Sequence, residues 1–326
     1  MLTAMHILVM KGLTLPAVSD EDRDRIRAAA GAGATVTVVD GAADALELAA
    51  DIEVMLGPIT SEFFERAPRL RWVHAIASGV DAYLFPAMRD SEVILTGEKG
   101  LVGGHLADHA FALLLSITRR LAEAVRLGPD SWGERPRFRA EAVELEGLTM
   151  GIVGFGGTGR AIARRAAAFG MRCEAVDLLD VPGSDEVPKV GGMDEFDALM
   201  ARVDVVAVGL PLTPETAGLF DARVFALMRR SAILINVTRG GIVDGDALVA
   251  ALRGGEIAGA GLDVAPAEPL PADHPLWAMP NVVMTPHTAG ASQLRAGRNV
   301  ARFCENLERL RRGQPLLGQI DKHAGF

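Results

Sequence analysis

Residues 150–177, MGIVGFGGTGRAIARRAAAFGMRCEAVD, constrain the fold of this chain more than any other stretch. Residues 150–153 are a short apolar run of the kind a buried parallel strand needs. Gly154-Phe155-Gly156-Gly157-Thr158-Gly159 then fits G-x-G-x-x-G. Residues 161–169 are rich in strong helix formers, and Gly170 stops the helix. Residues 172–176 read as a second strand that ends at Asp177. Strand, glycine turn, helix, strand and acid make the βαβ unit that binds dinucleotides.

Each part has a physical reason. Gly154 permits the tight turn, and Gly156 lets the backbone approach a pyrophosphate. Gly159 allows close packing of helix on strand. The helix N-terminus offers unpaired N–H groups and a partial positive charge to the phosphates. Asp177 follows Gly159 at close to the ~20 residues expected of a ribose-binding acid. A carboxylate there accepts hydrogen bonds from a ribose 2′-OH and repels a 2′-phosphate, so the site should prefer NAD over NADP.

A length of 326 residues suggests about two domains, and 49% hydrophobic residues suffice for large cores. The formal net charge of −9 and the lack of a basic block argue against a nucleic-acid partner. Cys173 and Cys304 form neither a disulfide framework nor a metal-ligand spacing, so no metal is expected. The N-terminal apolar run is too short for a leader peptide, and no run approaches a membrane span. A protein of a reducing compartment, the cytoplasm, is expected.

Residues 5–10, 35–39, 52–56, 72–76 and 93–95 read as strands, with Ser19 capping a helix after the first and another helix near 61–66. Alternating strands and helices predict a parallel sheet covered on both faces. Residues 103–127 predict one long helix, and 128–140 a loop or arm. Further strands are expected at 204–209, 232–237, 259–264 and 282–284, and a long helix at 292–312.

The chemistry sits just after these strands. Leu210-Pro211-Leu212-Thr213 and Thr216 follow one, and Asn236-Val237-Thr238-Arg239-Gly240-Gly241 follows the next. In open α/β sheets ligands bind outside the carboxyl ends of the strands. An arginine at a strand end beside two glycines suits a carboxylate, though it equally suits a surface turn. Asp263 ends another strand, with Glu268 shortly after, and Thr285-Pro286-His287-Thr288-Ala289-Gly290 follows the last. One Arg, one Glu and one His thus follow three successive strand ends. A histidine facing that crevice is the natural acid/base.

GFGGTG, LPLTPETAGLF, INVTRGGIVDGDAL, AGLDVAPAEPL and TPHTAG run in the order and spacing of the D-isomer-specific 2-hydroxyacid dehydrogenases, which the chain resembles. WVHAIASGVDAY is similar to that family's GVD-type loop. The resemblance covers most of the chain. It implies two doubly wound parallel-sheet α/β domains with a cleft between them. Residues 1–102 and 291–326 would form a discontinuous flavodoxin-like substrate domain, and 103–290 a Rossmann NAD-binding domain. It also implies a homodimer built on the NAD-binding domain, with the segment around Trp132 and Arg135 as an arm.

Carried over position by position, the resemblance makes His287 the acid/base, Glu268 its partner and Arg239 the group that orients the substrate. Backbone amides of Ser78 and Gly79 would hold the substrate carboxylate. Cofactor contacts would come from Gly154, Phe155, Gly156, Gly157, Thr158, Gly159, Asp177, Leu210, Pro211, Thr216, Val237, Thr238, Arg239, Asp263, His287 and Gly290, with Asp263 near the nicotinamide amide. The implied reaction is hydride transfer between NAD and a D-2-hydroxy acid or its 2-oxo acid, of glyoxylate or hydroxypyruvate type.

Some positions depart from the family pattern. Gly157 stands where relatives carry a larger, often basic residue, and Thr158 replaces an aliphatic one. His105 and Asp108 replace a small polar residue and a Glu. His105 is expected on the helix surface, the other reading being that it faces the cleft. Lys99, one of four lysines, is expected to be solvated, the other reading being contact with a distal anionic group of the substrate. Glu268 argues against formate-oxidising relatives, which use glutamine there, and Ser78 against phosphite-oxidising ones, which use lysine. A long phosphoglycerate dehydrogenase would need more chain. A short phosphoglycerate form and a non-enzymatic, NAD-sensing corepressor-like protein stay open.

The cofactor reading has a direct test. NADH should be used far better than NADPH, and Asp177→Ala should narrow that gap by weakening NADH binding and removing the repulsion. Comparable kcat/KM for the two cofactors in the unaltered protein would sink it.

Overall fold

The computed structural model describes residues 5–326. The first four residues, part of the stretch expected to carry no leader peptide, lie outside the described residues. The chain divides into two compact units. One takes the chain up to Val102 together with Ala291–Phe326, and the other is Gly103–Gly290.

In the first unit five short runs become parallel strands: β1 His6–Met10, β2 Thr35–Val39, β3 Val54–Leu56, β4 Trp72–His74 and β5 Ile94–Thr96. Their order is β2-β1-β3-β4-β5, the flavodoxin-type arrangement. The pleat sends alternate β1 side chains to opposite faces. Leu8 and Met10 enter one core, Ile7 and Val9 the other. The first helix, Asp20–Ala30, begins with a capping box in which Ser19 Oγ accepts from the Asp22 amide and Asp22 accepts from the Ser19 amide.

The second unit holds seven parallel strands. They are β6 Thr149–Val153, β7 Arg172–Val176, β8 Val190–Gly191, β9 Val205–Val208, β10 Ile233–Asn236, β11 Gly259–Leu262 and β12 Val282–Met284. The order is β12-β11-β10-β9-β6-β7-β8, the Rossmann order with one strand added beyond its sixth. Here too both faces are covered. Val206 and Val208 pack into one core, Val205 and Ala207 into the other. Both units are therefore doubly wound α/β folds.

Two expectations about residues 103–140 need correction. The helix is not continuous to residue 127. It runs Gly103–Thr118, breaks at Arg120 with φ +56°, and resumes as Leu121–Leu127. The break is fixed from outside the helix: the Val143 amide donates to the Thr118 carbonyl, and Glu141 pairs with Arg120. Residues 128–140 are not a plain loop either. They contain a 3-10 turn, Gly128–Trp132, and most of a helix, Arg135–Glu141. Arg137 gathers Glu123, Glu134 and Glu141 and ties that helix to the preceding one.

The returning C-terminal helix, Arg295–Arg311, belongs to the first unit and starts three residues later than its sequence pattern suggests. Its Phe303 ring stacks on Trp72 with centroids 4.8 Å apart. Arg295 Nε donates to Glu98 Oε1 at 2.8 Å, its Nη2 reaches Oε2, and Asn299 Nδ2 donates to Oε1 at 2.5 Å. The Glu98 side chain is fully buried and that of Arg295 nearly so. Removing one partner of such a pair strands a buried charge, at a cost of about 3–5 kcal/mol. Arg295→Ala should therefore lower the urea midpoint of the first unit markedly. A midpoint equal to that of the parent would show that Glu98 finds its compensation elsewhere.

Candidate active site

The motif residues of the second unit converge because parallel strands all end on one edge. β6 leads into Gly154, β7 into Asp177 and β9 into Leu210. β10, β11 and β12 lead into Arg239, Asp263 and His287. The edge lies on both sides of the β6–β9 pair, where the winding direction reverses and open α/β sheets bind ligands.

Gly154 takes φ +101°, and a Cβ there would lie 2.5 Å from the Gly209 carbonyl carbon. A Cβ on Gly159 would come within 2.2 Å of the Gly154 oxygen. At Gly156 the same test meets nothing within 4 Å. The turn is thus closed on its protein side and open on the other. Gly156 also starts the helix Gly157–Ala168 without a side-chain cap, so its first amides face the open side. A pyrophosphate fits this arrangement.

Asp177, half-buried, has a role the spacing did not indicate. Its Oδ2 accepts from the Phe155 amide at 2.5 Å and its Oδ1 from the Leu179 amide at 3.0 Å. It braces the glycine turn from the end of the neighbouring strand. Phe155 itself is buried beneath Arg160, whose guanidinium lies 4.7 Å from the ring centroid. Gly157 is exposed and Thr158 half-buried in the first helical turn.

In the next loop Leu210 is buried and Pro211 half-buried. Thr216 is fully buried. Its hydroxyl donates to the Pro211 carbonyl and accepts from the Thr213 amide, so it shapes the loop from within. After β10, Asn236 accepts from the Thr238 amide and donates to the Arg239 carbonyl, closing the turn that presents Arg239. Val237 is buried; Thr238 and Arg239 are half-buried. Gly240 has no room for a side chain, since a Cβ would lie 1.7 Å from the Ala265 oxygen.

His287 Nδ1 is 2.7 Å from Glu268 Oε2, and Glu268 Oε1 accepts from the Ala265 amide at 3.0 Å. Partial burial works against the charge of Glu268. Hydrogen bonds from His287 and the Ala265 amide, with the positive charge of His287 and Arg239, together outweigh it and hold the carboxyl below its usual range. Glu268 is an anion at neutral pH. His287 has φ +54°, uncommon for a residue with a side chain, and its amide donates to the Asp263 carbonyl. The Asp263 side chain is fully buried and accepts from Thr285 Oγ1 (2.6 Å) and from the amides of Thr288 (2.9 Å) and Ala289 (2.8 Å). Gly290, half-buried, closes the segment.

The structure thus brings Glu268 and His287 into contact and sets Arg239 close enough to act on Glu268 electrostatically. Ser78 and Gly79 stand in the first unit, after β4, with Ser78 exposed and Gly79 half-buried. His105 is half-buried in the first turn of its helix. Asp108 pairs with Arg165 of the glycine-turn helix. Lys99 is exposed, with its ammonium 5.9 Å from the Phe326 ring centroid. Sequence reasoning missed His109, whose Nε2 lies 2.7 Å from Thr285 Oγ1; it stands in the GGHLADHA segment but far from every other motif. Among the described residues no helix is long and apolar enough to cross a membrane.

A Rossmann sheet with this glycine turn and an acid after its second strand marks a dinucleotide-binding domain. Residues 111–289 match the family model described as D-isomer specific 2-hydroxyacid dehydrogenase, NAD binding domain. The chain is 38% identical over 268 residues to glyoxylate reductase of Korarchaeum cryptofilum, covering 81% of this chain and 80% of that protein. It is 35% identical over 291 residues to glyoxylate/hydroxypyruvate reductase B of Escherichia fergusonii, covering 85% of each. Among solved structures it is similar to a D-isomer specific 2-hydroxyacid dehydrogenase from Xanthobacter autotrophicus in complex with NADPH and MES. That match has a TM-score of 0.79 and 29% identity, and covers 99% of this chain and 100% of the other. The chain belongs to the D-isomer specific 2-hydroxyacid dehydrogenase family. It is an NAD-dependent oxidoreductase that interconverts 2-hydroxy and 2-oxo acids.

Gly240→Ala should damage the Glu268–His287 pair without touching either residue. The new methyl must displace Ala265, whose amide holds Glu268. A substantial loss of kcat is expected while the secondary-structure content stays native by circular dichroism. Unchanged kcat would mean that the 265–268 segment can shift freely.

Proposed function

We propose that the protein reduces a small 2-oxo acid of glyoxylate or hydroxypyruvate type with NADH, with His287 as the proton donor. The 2.7 Å contact between His287 Nδ1 and Glu268 Oε2 carries this reading. It engages one ring nitrogen and leaves Nε2 for the substrate oxygen. The names of the relatives from Korarchaeum and Escherichia support the substrate class.

In this reading the first unit binds substrate and the second binds the cofactor. The amides of Ser78 and Gly79 hold the substrate carboxylate. The Arg239 guanidinium binds the same carboxylate and polarises the 2-oxo group. The glycine turn from Gly154 to Gly159, Asp177, and the strand-end residues Leu210, Pro211, Val237, Thr238, Asp263 and Gly290 form the cofactor side, with Thr216 shaping its loop. Bound there, the dihydronicotinamide supplies the hydride that C2 receives. His287, as imidazolium, transfers its Nε2 proton to the former carbonyl oxygen, and the product is the 2-hydroxy acid. Glu268 stabilises the imidazolium before transfer and fixes the ring so that Nε2 points at the substrate. Holding donor and acceptor groups in one array supplies much of the rate.

Asp177 supports a preference for NADH, although the Xanthobacter structure contains NADPH. We further propose a cytoplasmic homodimer associating through the second unit. Leu121, Val125 and Trp132 leave apolar surface exposed on its arm, and both cysteines are free thiols.

His287→Ala should lower kcat for glyoxylate reduction by roughly 10²–10⁴, the usual size of a general acid–base contribution. NADH affinity should change little, since its proposed contacts lie mostly elsewhere. A near-normal kcat at saturating substrate, with chemistry shown to be rate-limiting, would remove His287 from the mechanism.

A further inference from the structure

His109 lies in the helix Gly103–Thr118, away from the strand-end motifs of the second unit. Its Nε2 is 2.7 Å from Thr285 Oγ1 and 3.3 Å from Asp263 Oδ1. Thr285 Oγ1 has one proton, and it lies 2.6 Å from the Asp263 carboxylate, an acceptor. The hydroxyl therefore donates to Asp263, and His109 Nε2–H must be the donor to the hydroxyl. The direction of the chain is fixed: His109 to Thr285 to Asp263.

Asp263 is where the histidine loop hangs. Its carbonyl accepts from the His287 amide, and its carboxylate accepts from Thr288 and Ala289 on the other side of that residue. Between these anchors His287 is held at φ +54°. A left-handed conformation at a residue with a Cβ costs about 1–2 kcal/mol, so it persists only where the surroundings over-determine it.

We propose that His109 is a positioning residue for His287, acting through Thr285 and Asp263. It presents a hydrogen-bond donor to the back of the histidine loop and so keeps the His287 ring where it can reach substrate. The inference rests on the reading of His287 as proton donor.

His109→Phe keeps a ring of similar size and removes the donor, whereas His109→Gln keeps an N–H donor. The Phe variant should lose roughly tenfold in kcat for glyoxylate reduction, the scale of one hydrogen bond. The Gln variant should recover most of that loss. Independently of activity, hydrogen exchange at the Thr288 and Ala289 amides should speed up in the Phe variant and return toward the parent rate in the Gln variant. Thr285→Val breaks the same chain one link on. It should give a similar loss that does not multiply with that of His109→Phe, and it carries the test if the Phe variant fails to fold. Unaltered kcat and exchange in these variants, or equal losses in the Phe and Gln variants, would overturn the proposal. His287→Ala, run beside them, separates the two ideas. If it is inactive while His109→Phe is normal, only the role of His109 is lost. If it is active, the underlying mechanism has failed.

Discussion

The Asp263 carboxylate has no exposed side-chain surface, and the donors around it come from the segment that carries His287. A buried carboxylate without donors costs several kcal/mol. The chain after β12 therefore has little freedom: it must fold back over the end of β11 and present Thr285, Thr288 and Ala289. His287 sits in the middle of that obligatory turn. Its exposure and its unusual φ thus follow from a requirement of the residues around it. The Glu268 contact is added from the loop between β11 and β12, where Gly240 lies so close to Ala265 that a side chain would have no room.

Why the order of motifs along the chain becomes a site in space follows from the sheet. Each strand of the second unit runs the same way, so each motif emerges at the same edge. That much is legible in sequence, because short buried parallel strands read as apolar runs and the motifs follow directly after them. The glycine turn is legible for a different reason. Gly154 is dictated by the positive φ of the turn itself and Gly159 by its contact with the Gly154 carbonyl, so cause and consequence lie close together in sequence. The same holds for the Asn236 side chain, which bonds to residues no more than three positions away.

What the sequence did not reveal depends on partners far away along the chain. A helical pattern runs unbroken through Arg120, yet the helix ends there because Val143 and Glu141 return to it. The charged residues of 128–140 look like a solvated loop until Arg137 ties Glu134 to Glu123 and Glu141 on either side of the segment. Thr216 and Asp177 sit at motif positions, but the structure spends their polar atoms largely on the protein's own backbone. His109 and Thr285 are separated by 176 residues, and nothing local to either marks the pairing. Periodicity and spacing report on near neighbours, so contacts of this kind leave no local trace.

The first unit shows the same principle on a larger scale. Its two segments are separated by the whole of the second unit, so only specific long-range contacts can make the C-terminal one part of it. Val300, Phe303, Leu307 and Leu316 complete the core that β1, β3 and Trp72 begin. Apolar packing alone would tolerate a helix shifted by a turn. The Glu98–Arg295–Asn299 cluster does not, because a bidentate guanidinium and a second donor must meet one buried carboxylate. Beyond the helix, the Gly318 carbonyl accepts from the Gly97 amide and the Ile320 amide donates to Leu95. Register is therefore set by polar groups and affinity by apolar ones. That division explains why a unit assembled from distant segments needs a buried ion pair where a continuous one could rely on chain connectivity.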